Sequence, residues 1–165
     1  MTETRIDTIP ERDFVAYEHQ EMRRGLDRIH EAASLRGTTA DLSSAVLEVL
    51  AWVDTVLEPH AQWEDRWLYP EIDERAGSPW ATRLMTYEHQ QIRDAAHAVA
   101  AARLALREHG STATVIELRG RLFALDAIVR AHMAREERFL IPLLDTSADN
   151  LPEAVDPRTS PAGAA

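Results

Sequence analysis

The chain has 165 residues, 45% of them hydrophobic, and carries 28 acidic against 18 basic side chains for a formal charge of −10, the profile of one soluble domain with a single core. That acidic balance argues against nucleic acid and anionic membranes as partners, because both demand clustered positive charge. Cysteine and lysine are both absent, which excludes thiolate nucleophiles, disulfides, iron–sulfur clusters, cysteine-based zinc sites, Schiff-base chemistry and a Walker-type phosphate loop.

The apolar residues recur at helical spacing and mark four helices. The first runs from about Glu11 to Leu35, with Phe14, Val15, Met22, Leu26 and Ile29 as its stripe, and Gly37 lies just past its end. The second starts near Asp41, read as its N-cap, and carries Val46, Val49, Leu50, Val53, Val56 and Leu57 on to about Tyr69. Pro59 should bend or restart it, and Pro70 should end its regular part, with Glu71 to Ala76 as a further turn at most. Ser78-Pro79 reads as a cap followed by proline at the first helical position, so the third helix is expected from there to about Glu108, with Gly110 as its stop. The fourth begins near Ser111 or Thr112, carries Val115, Leu118, Leu122, Leu125, Ile128 and Val129, and ends around Leu140 to Leu144 beside Pro142. Residues 146–165 are polar, small and rich in proline and alanine, and read as a disordered tail. Short connections between long helices predict an all-α, antiparallel up-down-up-down four-helix bundle over residues 11–145. Neither an 18-residue apolar run nor an apolar signal core near Met1 is present, so a cytoplasmic protein is expected.

An internal duplication carries the chemistry. Tyr17-Glu18-His19-Gln20 recurs as Tyr87-Glu88-His89-Gln90, and Arg23 recurs as Arg93, both at an offset of 70. The stretch from His60 to Pro70 recurs from His132 to Pro142 at an offset of 72, matching at His, Glu, Arg, Leu and Pro. Helices 1 and 2 therefore read as a copy of helices 3 and 4. Residues four apart on a helix point the same way, so His60 with Glu64, and His132 with Glu136, can each reach one place. These pairs fall on the apolar stripes, where an unpartnered carboxylate costs several kcal/mol or becomes neutral. A bound cation best explains two carboxylates and four imidazoles (His19, His60, His89, His132) converging in one core. Their pseudo-twofold arrangement favours two metals roughly 3.5–4 Å apart, bridged by carboxylates.

With those residues the sequence resembles the hemerythrin family, and within it the HHE cation-binding branch, over about residues 11–145. The resemblance implies two iron ions with an oxo or hydroxo bridge. His19 and His60 would hold one iron, His89 and His132 the other, and Glu64 and Glu136 would bridge them. It implies O₂ or small ligands such as azide, nitric oxide or peroxide as partners. Oxygen-carrying members have a further histidine four residues after the third-helix histidine; here that position is Arg93, which has no lone pair to offer a metal. Reversible O₂ carriage is accordingly disfavoured, and peroxide turnover or another oxidoreductase activity gains weight. A sensor or store of O₂, nitric oxide or iron, or a purely structural metal bundle, is the alternative. The same members place a carboxylate five residues after the last histidine, which points to Glu137, whereas helix geometry and the match to Glu64 favour Glu136. Ferritin-like bundles use Glu-x-x-His, a spacing this chain nowhere contains.

Other residues are candidates for supporting roles. Trp67 and Phe139, seven residues beyond His60 and His132, should pack over the ligands on the core face and keep the site dry. Tyr17 and Tyr87 would either donate a hydrogen bond near the site or pack at the bundle edge. Glu18 and Glu88 are equally readable as partners of a neighbouring helix's histidine or as solvated. Arg23 and Arg93 could serve the same outer layer. His30 and His97, each three residues after an aspartate, read as helix-surface pairs, and His109 as a residue favourable at a helix C-terminus.

Overall fold

A computed structural model describes residues 11–145; the predicted tail lies outside them. Helix α1 is Glu11–Ser34. Helix α2 spans residues 39–75 as one rod built of α-helical Thr39–Trp52, Glu58–Trp63 and Tyr69–Arg75, joined by π-helical turns at Val53–Leu57 and Glu64–Leu68. Helix α3 is Arg83–His109. Helix α4 covers residues 112–145: α-helical Thr112–Arg135, a π turn at Glu136–Leu140 and a 3₁₀ turn at Ile141–Asp145. Helix α1 packs on α2 and α4, and α3 packs on the same two, closing the expected four-helix bundle.

Local chemistry sets the helix ends. Thr38, not Asp41, is the N-cap of α2: Asp41 N–H donates to Thr38 Oγ1 at 3.2 Å while Thr38 N–H donates to Asp41 Oδ2 at 2.8 Å, a reciprocal capping box. Ser111 and Thr114 do the same for α4. Gly110 closes α3 with φ 55°, a left-handed conformation that a side chain would strain. The expected start of α3 at Ser78-Pro79 is four residues early. Ser78 instead accepts the Trp80 N–H in a turn, and Thr82 spends its N–H and hydroxyl on Asp73 Oδ1, at 2.9 and 3.0 Å, pinning the connection to α2.

Pro70 does not end α2, and the reason is the π turn before it. A proline ring collides with the carbonyl four residues back in an α-helix. Here the residue before each proline donates five residues back: Glu58 to Val53, Tyr69 to Glu64, and Ile141 to Glu136. The wider turn lets the helix pass Pro59 and Pro70, and carries α4 past Pro142 as a 3₁₀ turn.

Two apolar layers fill the bundle. The larger contains Met22, Leu26, Val49, Trp52, Leu57, Ile92, Val99, Leu122, Val129 and Met133 among its buried members. The smaller, at the end where α2 enters the α3 connection, contains Val15, Leu68, Tyr69, Ile72, Met85, Leu140, Ile141 and Leu144. On every helix the polar residues singled out above lie between them: His19 between Val15 and Met22, His60 and Glu64 between Leu57 and Leu68, His89 between Met85 and Ile92, His132 and Glu136 between Val129 and Leu140.

Candidate metal centre

Side chains of His19, His60, Glu64, His89, His132 and Glu136 are all buried, Glu64 completely and Glu136 to 1% exposure. Their inward atoms meet. His60 Nε2 lies 2.8 Å from Glu64 Oε1, His89 Nε2 lies 3.2 Å from Glu64 Oε2, and His19 Nε2 lies 3.4 Å from Glu136 Oε2. The Nε2 atoms of His89 and His132 are 3.0 Å apart. Two overlapping groups result, His19–His60–Glu64 and Glu64–His89–His132–Glu136, each able to offer one ligand atom per residue to a single ion.

The donor chemistry fits a cation. His19 Nε2, His60 Nε2, both Glu64 oxygens and Glu136 Oε2 are buried with no hydrogen bond of proper geometry among the described residues. Buried polar atoms rarely go unsatisfied, and such a group calls for an ion or water. Lone pairs from imidazole and carboxylate, aimed at one another across a dry core, suit Fe, Zn or Mn.

The outward Nδ1 atoms of His19, His89 and His132 are served by carboxylates, while that of His60 is buried with its nearest carboxylate beyond hydrogen-bond distance. Those of His19 and His89 lie 2.9 Å from Glu137 Oε1 and Asp65 Oδ1. That of His132 lies 3.1 Å from Glu88 Oε2, and that of His60 is 3.7 Å from Glu18 Oε2. The four pairs obey the sequence repeat, with Glu18 matching Glu88 and Asp65 matching Glu137. A carboxylate at Nδ1 keeps the ring proton there, fixes ring orientation and leaves Nε2 free as a ligand. Arginines steady these carboxylates: Arg23 donates to Glu137, Arg93 Nη2 approaches Asp65 Oδ2 at 3.5 Å, and Arg135 Nη2 donates to Glu88 at 2.7 Å. Glu137 thus faces His19 Nδ1, while Glu136 stands within the cluster. Arg93 Nε also donates to both Glu58 oxygens, at 3.0 and 2.9 Å. Replacing Asp65 with alanine is expected to weaken metal binding by roughly 10–100-fold without emptying the site, measured by competition with a coloured chelator.

Several expected neighbours are elsewhere. Trp67 and Phe139 are 59% and 60% exposed and lie beneath Arg66 and Arg138. The π turns insert one residue, so the core position falls eight residues past each histidine, at Leu68 and Leu140, rather than seven. Tyr17 and Tyr87 are each 60% exposed, and neither forms a hydrogen bond to the site among the described residues. His30 sets its ring edge on Phe123 while Asp27 pairs with Arg130, so it forms no pair with its own aspartate.

Tyr69 was not anticipated. Its hydroxyl donates to Glu136 Oε1, lies 3.3 Å from His89 Nε2, and its ring stacks on the His89 imidazole. Burial together with Glu64 and Glu136 pushes its pKa far up, so it stays a proton donor. The available signal was Pro70 itself, which forces the wide turn that brings Tyr69 onto the core face.

Electrostatics in the metal-free chain follow from the same contacts. Burial lowers the His19 pKa, yet Glu136 and Glu64 overcome it and hold the imidazolium up to about 10. Burial raises the Glu64 pKa, and His19, His60 and His89 override that, holding it well below the usual range. His89 is raised against burial by Glu64 and Asp65, whereas burial keeps His132 low despite Glu136. The raised His19 pKa stabilises the metal-free fold fully below its ordinary 6.5, and this is lost as pH rises through about 10. The depressed Glu64 pKa stabilises above 4.5, and this is lost as pH falls further. At pH 7 His19 is therefore protonated, and metal uptake must displace that proton. Loading is expected to release about one proton per chain or more, read with an indicator dye in weak buffer.

The chain matches the hemerythrin HHE cation binding domain over residues 12–144. It belongs to that family. No curated protein and no solved structure gives a significant match. The family match spans the whole bundle and agrees with the buried His/Glu groups on cation binding.

Proposed function

We propose that this hemerythrin-family protein holds two iron ions on His19, His60, His89 and His132 with Glu64 and Glu136 bridging, binds O₂ or small ligands such as peroxide, nitric oxide or azide there, and turns over peroxide. The observation that carries the reading is the sharing of Glu64 between two ligand groups, the arrangement needed for one carboxylate to span two ions. When bound, such a pair supplies Lewis acidity and exchangeable electrons. The chain supplies the rest. The carboxylates behind His19, His89 and His132 hold protons at Nδ1. Tyr69 keeps a proton at Glu136 Oε1, beside the centre. The two apolar layers cover the centre along the bundle axis, which lowers the local dielectric and strengthens the electrostatic contacts between them. Arg93, engaged by Glu58 and Asp65, leaves the centre without the additional imidazole of the oxygen carriers. That supports peroxide turnover over reversible carriage.

Metal content per chain and the visible spectrum, before and after azide or peroxide, test this reading. About two irons with absorption bands that move on ligand addition, and peroxide loss above a free-iron control, are expected. Zinc, or a colourless chain that refuses iron, would reduce the centre to a structural role. His60→Ala and His132→Ala should each lose metal while His109→Ala, at an exposed helix end, keeps it. Equal metal in all three would overturn the ligand assignment.

A further inference from the structure

The sequence repeat makes the bundle nearly symmetric about the His/Glu cluster, so a departure from symmetry beside it is informative. One such departure is a cavity of about 200 Å³ that reaches His60, Glu64, His89 and His132 from the side between α2 and α3. Its walls are Met22, Val53, Leu57, Ala61, Ile92 and Val129, and Asp54, Glu58, Arg93 and His97 ring its outer part. The equivalent face, between α1 and α4, has a cavity of similar size, about 160 Å³, but it is shallower, lies at Arg23, Leu26, Arg130, Met133, Ala134 and Glu137, and touches none of the six cluster residues.

The repeat identifies the cause. At the offset of 72, Ala61 corresponds to Met133. Met133 is 3% exposed and belongs to the core of its own side. Ala61, directly after His60, has only a methyl group to offer the same place, and space is left beside Glu64. Arg130 on the α1–α4 side, where the cavity stops short of the cluster, is held by Asp27 and Asp126 at 3.1 and 2.9 Å. On the α2–α3 side its counterpart is Glu58, which Arg93 draws to the rim.

The chamber's size and lining select among ligands. A water occupies about 30 Å³ of liquid, so the chamber takes a body of about half a dozen non-hydrogen atoms, well beyond O₂ or hydrogen peroxide. Its walls are aliphatic and thioether groups, which favour an apolar body. Polar partners are confined to the inner end, at His60, Glu64, His89 and His132, and to the rim. The rim carries Asp54 and Glu58 beside Arg93, so an anionic ligand such as a fatty acid carboxylate is repelled by the former and finds the latter occupied.

Resting on the metal-centre reading above, we propose that this chamber binds a short, neutral alkyl hydroperoxide, its alkyl body against Met22, Val53, Leu57, Ile92 and Val129 and its peroxide end toward Glu64 and His89, with Ala61 setting the size limit. The proposal concerns binding.

The test uses protein loaded with zinc, which is redox-silent, and carrying ¹³C-methyl methionine. Met22 lines the chamber, while Met85 and Met133 do not, so the methyl signals report position. Titration with tert-butyl hydroperoxide is expected to shift the Met22 signal saturably and leave those of Met85 and Met133 in place. Hydrogen peroxide at the same concentration should not produce the shift. Ala61→Met should raise the dissociation constant for tert-butyl hydroperoxide at least tenfold with metal content unchanged. Val53→Met, at another wall, provides the same test should Ala61→Met fold poorly. A Met22 shift equal with both peroxides, equal shifts at all three methionines, no saturable shift, or unaltered affinity in the folded filling variants would overturn the proposal. Failure of iron-loaded protein to consume peroxide, with the Met22 result intact, would instead count against the catalytic reading and leave the chamber standing.

Discussion

Glu64→Ala is expected to abolish metal binding outright, whereas Glu137→Ala is expected only to weaken it. Glu64 is the one residue common to both ligand groups, and its two oxygens face His60 on one side and His89 on the other. Without it, each group loses its anionic member on the shared side, and neither is left with both its charge and its geometry. Metal per chain should fall below about a tenth of the wild-type value under equal loading. Glu137 meets the cluster only at the far nitrogen of His19, its other partner being Arg23, so its removal frees ring orientation without deleting a metal donor, a loss of roughly 10–100-fold in affinity. The same substitution at Glu64 should also weaken the metal-free fold. It removes one of the carboxylates that hold the imidazolium of His19, while Glu136 at 3.4 Å and Glu137 at 2.9 Å remain, so the loss should be on the order of 1–2 kcal/mol rather than that of a fully unpaired buried charge. Metal analysis and thermal melts with and without metal read both effects. Full metal retention in Glu64→Ala would remove the bridging role.

The second large effect concerns the bundle rather than the centre. Gly25 sits in the middle of α1, and a methyl group there would come 1.9 Å from Cε2 of the Trp52 indole, a side chain itself only 6% exposed. Alanine normally gains on glycine by about 0.5–1 kcal/mol within a helix. At Gly25 that gain is reversed by overpacking, and Gly25→Ala should lose on the order of 3 kcal/mol, or roughly 10 °C in melting temperature. Gly120, in α4, has nothing within 4 Å of the same methyl position, so Gly120→Ala should gain about 0.5–1 kcal/mol. Opposite signs for one chemical change would locate the effect in the close approach of α1 to Trp52. Equal signs would deny it.

Much of the architecture was legible because helical periodicity and duplication are both properties of the letters. His19, His60, Glu64, His89, His132 and Glu136 stand out as polar residues on apolar stripes that occur twice, and the bundle buries all six. The less legible part begins where helix geometry departs from 3.6 residues per turn. Trp67 and Phe139 were placed on the core face by counting two regular turns, and the π turns put them outside. Tyr69 was missed through the same arithmetic. The partners at Nδ1 were only partly legible, because they join residues far apart in sequence: Glu137 with His19, Asp65 with His89. Repetition indicated which residues correspond, and only the packing of neighbouring helices could indicate which ones meet. The start of α3 was misread because Ser78-Pro79 suits a turn as well as a cap, and the Asp73–Thr82 bonds that decide between them span two elements.

The wide turns also bear on how the two halves of the chain can change. Glu64–Leu68 and Glu136–Leu140 occupy matching positions in the repeat, so the irregularity was copied together with the histidines and glutamates. Deleting one residue from either turn would give a smoother helix by local criteria. It would also rotate everything downstream by about 100°, swinging Tyr69 and Ile72, or Ile141 and Leu144, out of the apolar layer that seals the centre. A length change at these turns is thereby closed to both halves, and drift at these two points is confined to substitution.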